Sequence, residues 1–355
     1  MKIIKKLLGL FAIIFVLFSI TSCNNNKKFK FEYWNDCDSL KTLTTYVEAV
    51  TKDKSDDNFI PVEDRIAVFD MDGTLCGELF PTYLEYLLCA YRCLYDEDYE
   101  ASEELKDVGN LIMEGSHGDG TGTYPADMAL IHGNAQAKAF AGLTPDAFMD
   151  YVKNKFLNRD ADGFKNLKYR DSFYLPMVEV VSYLQLNNFT TYIVSGSDRF
   201  ICRAFACERL NIPFNQVIGM DVVLKGTAQG DAESLDYTFK TNDTLVRTDE
   251  LLIKNLKTNK VTAIAKEIGK QPVLSFGNSS GDASMHMYTI TNNKYKAKAF
   301  MLIADDETRD YGNTTKNTEL GKKWKDSGFN VISMKNDFKT IYGYNVEKTE
   351  LKYAF

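Results

Sequence analysis

At 355 residues, with 45% hydrophobic and 26% charged side chains, the chain has the composition of a globular protein long enough for a large core and an additional lobe. Its 42 Lys+Arg against 49 Asp+Glu leave a net charge of -7, which sets it against a phosphate backbone and argues against nucleic acid as a partner. With 22 Gly, 7 Pro and 7 Cys it is neither collagen-like, nor of low complexity, nor built on a disulfide framework.

At the N-terminus, Lys2, Lys5 and Lys6 precede an apolar run over 7–20 that is shorter than the roughly 18 residues needed to span a bilayer, the pattern of a secretory signal. The run ends in Ile20-Thr21-Ser22-Cys23, which resembles the lipobox of bacterial lipoproteins. That resemblance implies loss of the signal peptide 1–22, a lipid on Cys23, and an exported chain held at a bacterial membrane, on the periplasmic side or the cell surface. Residues 24–30 are polar, and 23–35 read as a tether. The other cysteines (37, 76, 89, 93, 202 and 207) form no Cys-x-x-Cys pair and read as buried thiols.

Further along, 65–69 is a short β-branched and aromatic run that reads as a buried parallel strand. More than a hundred residues separate it from the next such run, far more than a crossover helix needs, so a mainly helical lobe is expected over 80–171, with helices near 81–94, 126–140 and 145–156. Then follow a helical pattern over 176–186, a strand at 190–194 and a helix at 199–210. An excursion at 219–249 reads as a hairpin or flap, 261–268 as a helix, and 272–276, 298–303 and the weaker 330–334 as strands. Lys, Asn and Thr at 314–323 read as a solvated face. The alternation predicts an α/β fold, a Rossmann-like doubly wound parallel sheet formed by 36–79 and 172–355, with the helical cap 80–171 inserted after the first strand.

Chemistry gathers at the predicted strand ends, where such folds carry their sites. Directly after the first strand stands Asp70-Met71-Asp72-Gly73-Thr74, two carboxylates that can share one site beside a glycine that lets the backbone turn sharply. After the second, Ser195-Gly196 offers a hydroxyl and an approachable amide suited to a phosphoryl oxygen. A later strand runs into Gly277-Asn278-Ser279-Ser280-Gly281-Asp282, an amide oxygen and a carboxylate suited to a hard cation. Lys260 precedes the helix leading to that strand.

In order and spacing these groups resemble the four motifs of the haloacid dehalogenase superfamily of phosphotransferases: Asp70-x-Asp72-Gly73-Thr74, Ser195, Lys260 and Gly277-Asn278-x-x-x-Asp282, across about 65–303. The resemblance implies a Rossmann-like core with an inserted cap and, because an acid stands at Asp72, a phosphomonoesterase. Asp70 is then the nucleophile that forms an aspartyl-phosphate, and Asp72 the general acid and base. Ser195, the amide of Gly196 and Lys260 hold the phosphoryl oxygens, and Mg²⁺ is bound by Asp70, the carbonyl of Asp72, and Asn278 or Asp282. Asn278 departs from the Gly-Asp of many relatives. Lys260 is favoured over Lys254, Lys257 and Lys270, and its position resembles the phosphoserine phosphatase branch.

The implied partner is a small phosphorylated metabolite selected by the cap. Glu78, with Tyr83 and Tyr86, loosely resembles the cation-binding part of secreted phosphorylcholine-type phosphatases, so Glu78 is a candidate substrate-binding residue; tyrosines packing cap against core is the competing expectation. The glycine-rich 115–122 reads as a mobile cap loop with His117 a candidate substrate contact, and His132 and His286 read as structural or surface residues. Transfer to an alcohol other than water, or a silent lipid-anchored binding protein, are the alternative functions.

Overall fold

The computed structural model describes residues 29–116, 124–353 and 355. The signal peptide, the lipidation site Cys23, residues 23–28 of the tether and the loop residue His117 lie outside the described residues. Residues 31–355 form one compact unit, to which every element below belongs.

Nine strands occur among the described residues: β1 Ile66–Phe69, β2 Phe164–Lys165, β3 Thr190–Asp198, β4 Val217–Gly226, β5 Leu245–Ile253, β6 Leu274–Gly277, β7 Lys298–Ile303, β8 Asn330–Ser333 and β9 Glu347–Lys348. Seven of them make one sheet in the order β5-β4-β3-β1-β6-β7-β8, parallel throughout except at the β4–β5 pair. The short β2 and β9 pair separately. Helices α1 Asp38–Thr51, α2 Leu84–Leu94, α3 Glu103–Gly115, α4 Met128–Ala139, α5 Pro145–Tyr151, α6 Leu175–Leu186, α7 Arg199–Leu210, α8 Thr258–Ala263, α9 Ala283–Ile290, α10 Thr314–Asp326 and α11 Met334–Asp337 flank or interrupt it. The protein is an α/β molecule with a Rossmann-like, mostly parallel sheet.

The central strand β1 is buried along its whole length, as a parallel strand covered on both faces must be. Because successive side chains point to opposite faces, Ile66 and Val68 pack with Val194, Ile218, Ile264 and Met285, while Phe69 stacks on Phe276 at 4.4 Å and Phe276 on Phe300 at 5.1 Å. That aromatic ladder ties β1, β6 and β7 together directly beneath the residues that follow β1 and β6.

Between β1 and β3 lie α2 to α5. α3 was not foreseen as an element; Ser102 caps it by accepting from the Leu105 amide at 3.3 Å. The excursion after β3 is the antiparallel β4–β5 pair, its connection tied by Asp243, which accepts from the amides of Ala228 and Lys240 and from the Tyr237 hydroxyl. Two expectations change. The helix expected at 261–268 is α8 continued by a wider turn over Ile264–Ile268, and the stretch at 314–323 belongs to α10, whose Gly321 and Trp324 are buried against the sheet.

Candidate active site

The predicted motifs converge at the carboxyl ends of β1, β3 and β6. The Asp70 amide donates to the Phe276 carbonyl at 2.9 Å, so the carboxylate leaves the sheet where β1 and β6 separate. Gly73 then turns at φ +71°, and its amide closes onto the Cys76 carbonyl at 2.8 Å. Asp70 and Asp72 are both buried, and they line one cavity of about 160 Å³ together with Glu78, Gly196, Lys260, Asn278 and Asp282.

Lys260 is the lysine that reaches Asp70. Its ammonium, fully buried, lies 2.6 Å from Asp70 Oδ1 and 2.6 Å from Asp282 Oδ1. Lys270 instead pairs with Asp64 at the surface, and Lys254 with Glu85. Burial works against the charged lysine, but the charges of Asp282 and Asp70 outweigh it and hold Lys260 above its ordinary pKa. Asp282 has no oxygen to spare: Oδ1 takes Lys260, and Oδ2 accepts from the Asn278 amide at 3.1 Å, the Ser279 amide at 3.0 Å and the Ser279 hydroxyl at 3.2 Å. Burial opposes its ionisation, and Lys260 overrides it, holding Asp282 below the usual carboxylate range.

The two acids of the first motif differ. Burial, reinforced by the charge of Asp282, pushes Asp70 up to about 8 against the opposing pull of Lys260. Asp72 is pushed to about 6 by burial, opposed by the Ser197 hydroxyl, which donates to Asp72 Oδ2 at 2.7 Å, and reinforced by Glu85. The other oxygen, Asp72 Oδ1, has no hydrogen-bond partner. Ser195 itself is fully buried beneath the cavity: its hydroxyl accepts from the Ser197 amide at 3.0 Å, and the wall is formed by Gly196 and Ser197.

Glu78 lies on the wall beside the fourth motif, accepting from Asn278 Nδ2 at 2.7 Å. Burial, then the charges of Asp72, Asp70 and Asp282, push it well above the carboxylate range. Tyr83 and Tyr86 also line the cavity, their rings edge to face at 5.1 Å, and Tyr86 stacks on the buried His132 at 4.2 Å. The two tyrosines pack within the helical insert, against each other, Tyr124 and His132, and also face the cavity.

No family model matches this chain. No curated protein matches it either. Among solved structures it is similar to a conserved functionally unknown protein from Anaerococcus prevotii DSM 20548, at 14% identity over 89% of this chain and 99% of that one, with a TM-score of 0.50. A protein of unknown function from Bordetella pertussis Tohama I matches at 12% identity over 76% and 97%, TM-score 0.47, and cytosolic 5'-nucleotidase IIIB bound to cytidine at 12% identity over 82% and 84%, TM-score 0.46. The Anaerococcus likeness speaks to fold alone.

Three cavity residues escape a reading by motif. Ser197 follows Ser195 by two positions on β3, so it shares the strand's facing; Glu85 is an acid inside the apolar run of α2; Lys254 directly follows β5. Glu85 Oε1 meets Lys254 Nζ at 2.6 Å and Oε2 accepts from the Asp198 amide at 3.1 Å, so its charge is matched within the wall. Among the described residues no three His, Cys, Asp or Glu side chains form a ready metal cage. Magnesium does not need one, because it takes one or two carboxylates and keeps waters and substrate oxygens. The donors present fit that habit: Asp70 keeps one oxygen beyond its lysine bond, and Asn278, donating through Nδ2, keeps its amide oxygen.

Proposed function

We propose that the protein is a Mg²⁺-dependent phosphomonoester hydrolase of the haloacid dehalogenase type, acting through an aspartyl-phosphate on Asp70. The observation that carries this reading is the pairing of Asp70 with Lys260 at 2.6 Å in the cavity that also holds Asp72, whose Oδ1 has no partner. A pure binding site has no use for a nucleophile beside a second acid.

In the proposed cycle an Asp70 oxygen attacks phosphorus, and the bond from phosphorus to the ester oxygen breaks. Asp72 gives its proton to the departing alkoxide, then, as a carboxylate, takes one from the water that attacks the aspartyl-phosphate. Phosphate leaves and Asp70 is regenerated. Lys260 and the Gly196 amide are placed in this reading on the equatorial oxygens, while the Ser197 hydroxyl orients Asp72 and Ser195 supports Ser197 from below. Asp70, the Asp72 carbonyl and Asn278 would hold the magnesium ion, which when bound offsets the charge of the two anions that must meet. Asp282, with both oxygens engaged, serves to position Lys260.

A cavity of about 160 Å³ is below the roughly 300 Å³ at which ligand pockets usually begin, which supports a small ester such as phosphocholine or phosphoserine. We take 80–171 as the cap that selects it and 36–79 with 172–355 as the catalytic core. The test is phosphate release from a panel of phosphomonoesters, with magnesium and with a chelator. Metal-dependent turnover should fall roughly a thousandfold or more in Asp70→Asn; turnover unchanged by that substitution would end the proposal. We also propose lipidation at Cys23: Cys23→Ser should move the expressed chain from the membrane fraction to the soluble one, and unchanged fractionation would remove the anchor.

A further inference from the structure

Five carboxylates line the cavity, Asp70, Asp72, Glu78, Glu85 and Asp282, against two ammonium groups, Lys254 and Lys260. Both ammonium groups are committed: Lys254 to Glu85, and Lys260 to Asp70 and Asp282. The oxygens of Glu85 and Asp282 are filled by lysines and backbone amides. What remains is one oxygen on Asp70, the buried and unpartnered Oδ1 of Asp72, and one oxygen on Glu78, whose other oxygen meets only the neutral amide of Asn278. Asp72 is needed as an acid, which leaves Glu78 as the carboxylate with no cation of the chain's own, beside the one oxygen of Asp70 that Lys260 does not hold.

The heads of Glu78 and Asn278 are also held against the first motif. A β-carbon on Gly73 would overlap the Asn278 amide and come within 2.6 Å of Glu78 Oε1, so the pair rests directly on the backbone one residue past Asp72. We infer that Glu78 is a ligand of the divalent cation, supplying from β1's own loop the negative charge that Asn278 lacks, with Asn278 orienting it through the 2.7 Å hydrogen bond. This assigns Glu78 to the metal and leaves the leaving group to Tyr83, Tyr86, Glu85 and Lys254. The inference rests on the proposed metal-dependent site, but it makes a claim about binding that needs no substrate.

The test is titration of the purified full chain with Mn²⁺, followed by the electron paramagnetic resonance signal of the free ion, for the wild type, Glu78→Gln, Glu78→Asp and the double variant Glu78→Gln/Asn278→Asp. Circular dichroism without metal checks that each is folded. Glu78→Gln should weaken Mn²⁺ binding by about tenfold or more, and the double variant should recover most of the loss by returning a carboxylate to the same pair. Unchanged Mn²⁺ affinity in Glu78→Gln overturns the inference, as does a wild type that binds no Mn²⁺. Should Glu78→Gln keep its Mn²⁺ and lose only its KM for phosphocholine against a neutral ester, Glu78 is a substrate residue and the inference is overturned. Mn²⁺ binding that depends on Glu78 in a protein that hydrolyses no ester sustains the inference while removing the phosphatase.

Discussion

At the residue scale, burial decides which charges matter. Lys260 lies between two carboxylates drawn from motifs 190 and 22 positions away, and each partner would be an unpaired buried charge without it. Asp70, Asp72, Gly73 and Lys260 could be read from the sequence because each stands at a strand or helix end with local signals. Glu85, Lys254 and Ser197 could not, because their roles arise from contacts 169 and 125 positions apart that no local pattern encodes. Outside the cavity, Asp310 gives a clean pH prediction. Burial pushes it to about 6, and the Tyr342 hydroxyl donates to it at 2.8 Å. Its folded pKa lies above the unfolded value of 3.8, so its stabilising contribution is complete below that value and is lost as pH rises through 6. The stability of the wild type relative to Asp310→Asn should therefore fall by about 2 kcal/mol between pH 4 and pH 7. Urea midpoints across that range check this, and a constant difference would contradict it.

At the element scale, strands were more legible than helices. β1, β6 and β7 are continuous apolar runs because both faces are covered, and this signature survives without any knowledge of neighbours. α10 is mostly polar with two buried positions, Gly321 and Trp324, too few to set a period, so its sequence reads as solvated surface. α3 did carry a signal, since Leu105, Gly109 and Ile112 recur at helical spacing behind a serine cap, but glycine at the middle position weakened it. The turn into α8 holds local strain: Lys257 has φ +54° and ψ -124°, a region that favours glycine, and its amide donates to the Gly281 carbonyl at 2.9 Å, linking the third and fourth motifs. Lys257→Gly should stabilise the protein by about 1 kcal/mol in thermal or urea unfolding. A loss of stability would mean that the lysine side chain outweighs the backbone strain.

At the scale of the whole molecule, the sheet order brings three strand ends, widely separated in sequence, to a single small cavity, and the helical insert after β1 lends it Tyr83, Glu85, Tyr86 and Ala129. That topology explains why fold and motifs were readable together, as both follow from strands ending in polar residues. The size and charge of the cavity were not, because they depend on how the insert and the β4–β5 pair close over it. The account stands or falls on covalent chemistry at Asp70. The decisive measurement is rapid acid quench of the protein mixed with a phosphomonoester and Mg²⁺, followed by mass spectrometry of its peptides. A phosphoryl group on Asp70 that accumulates before phosphate release and is absent from Asp70→Asn is the predicted result; turnover with no phosphoryl group at Asp70, or with one on another residue, would contradict the mechanism.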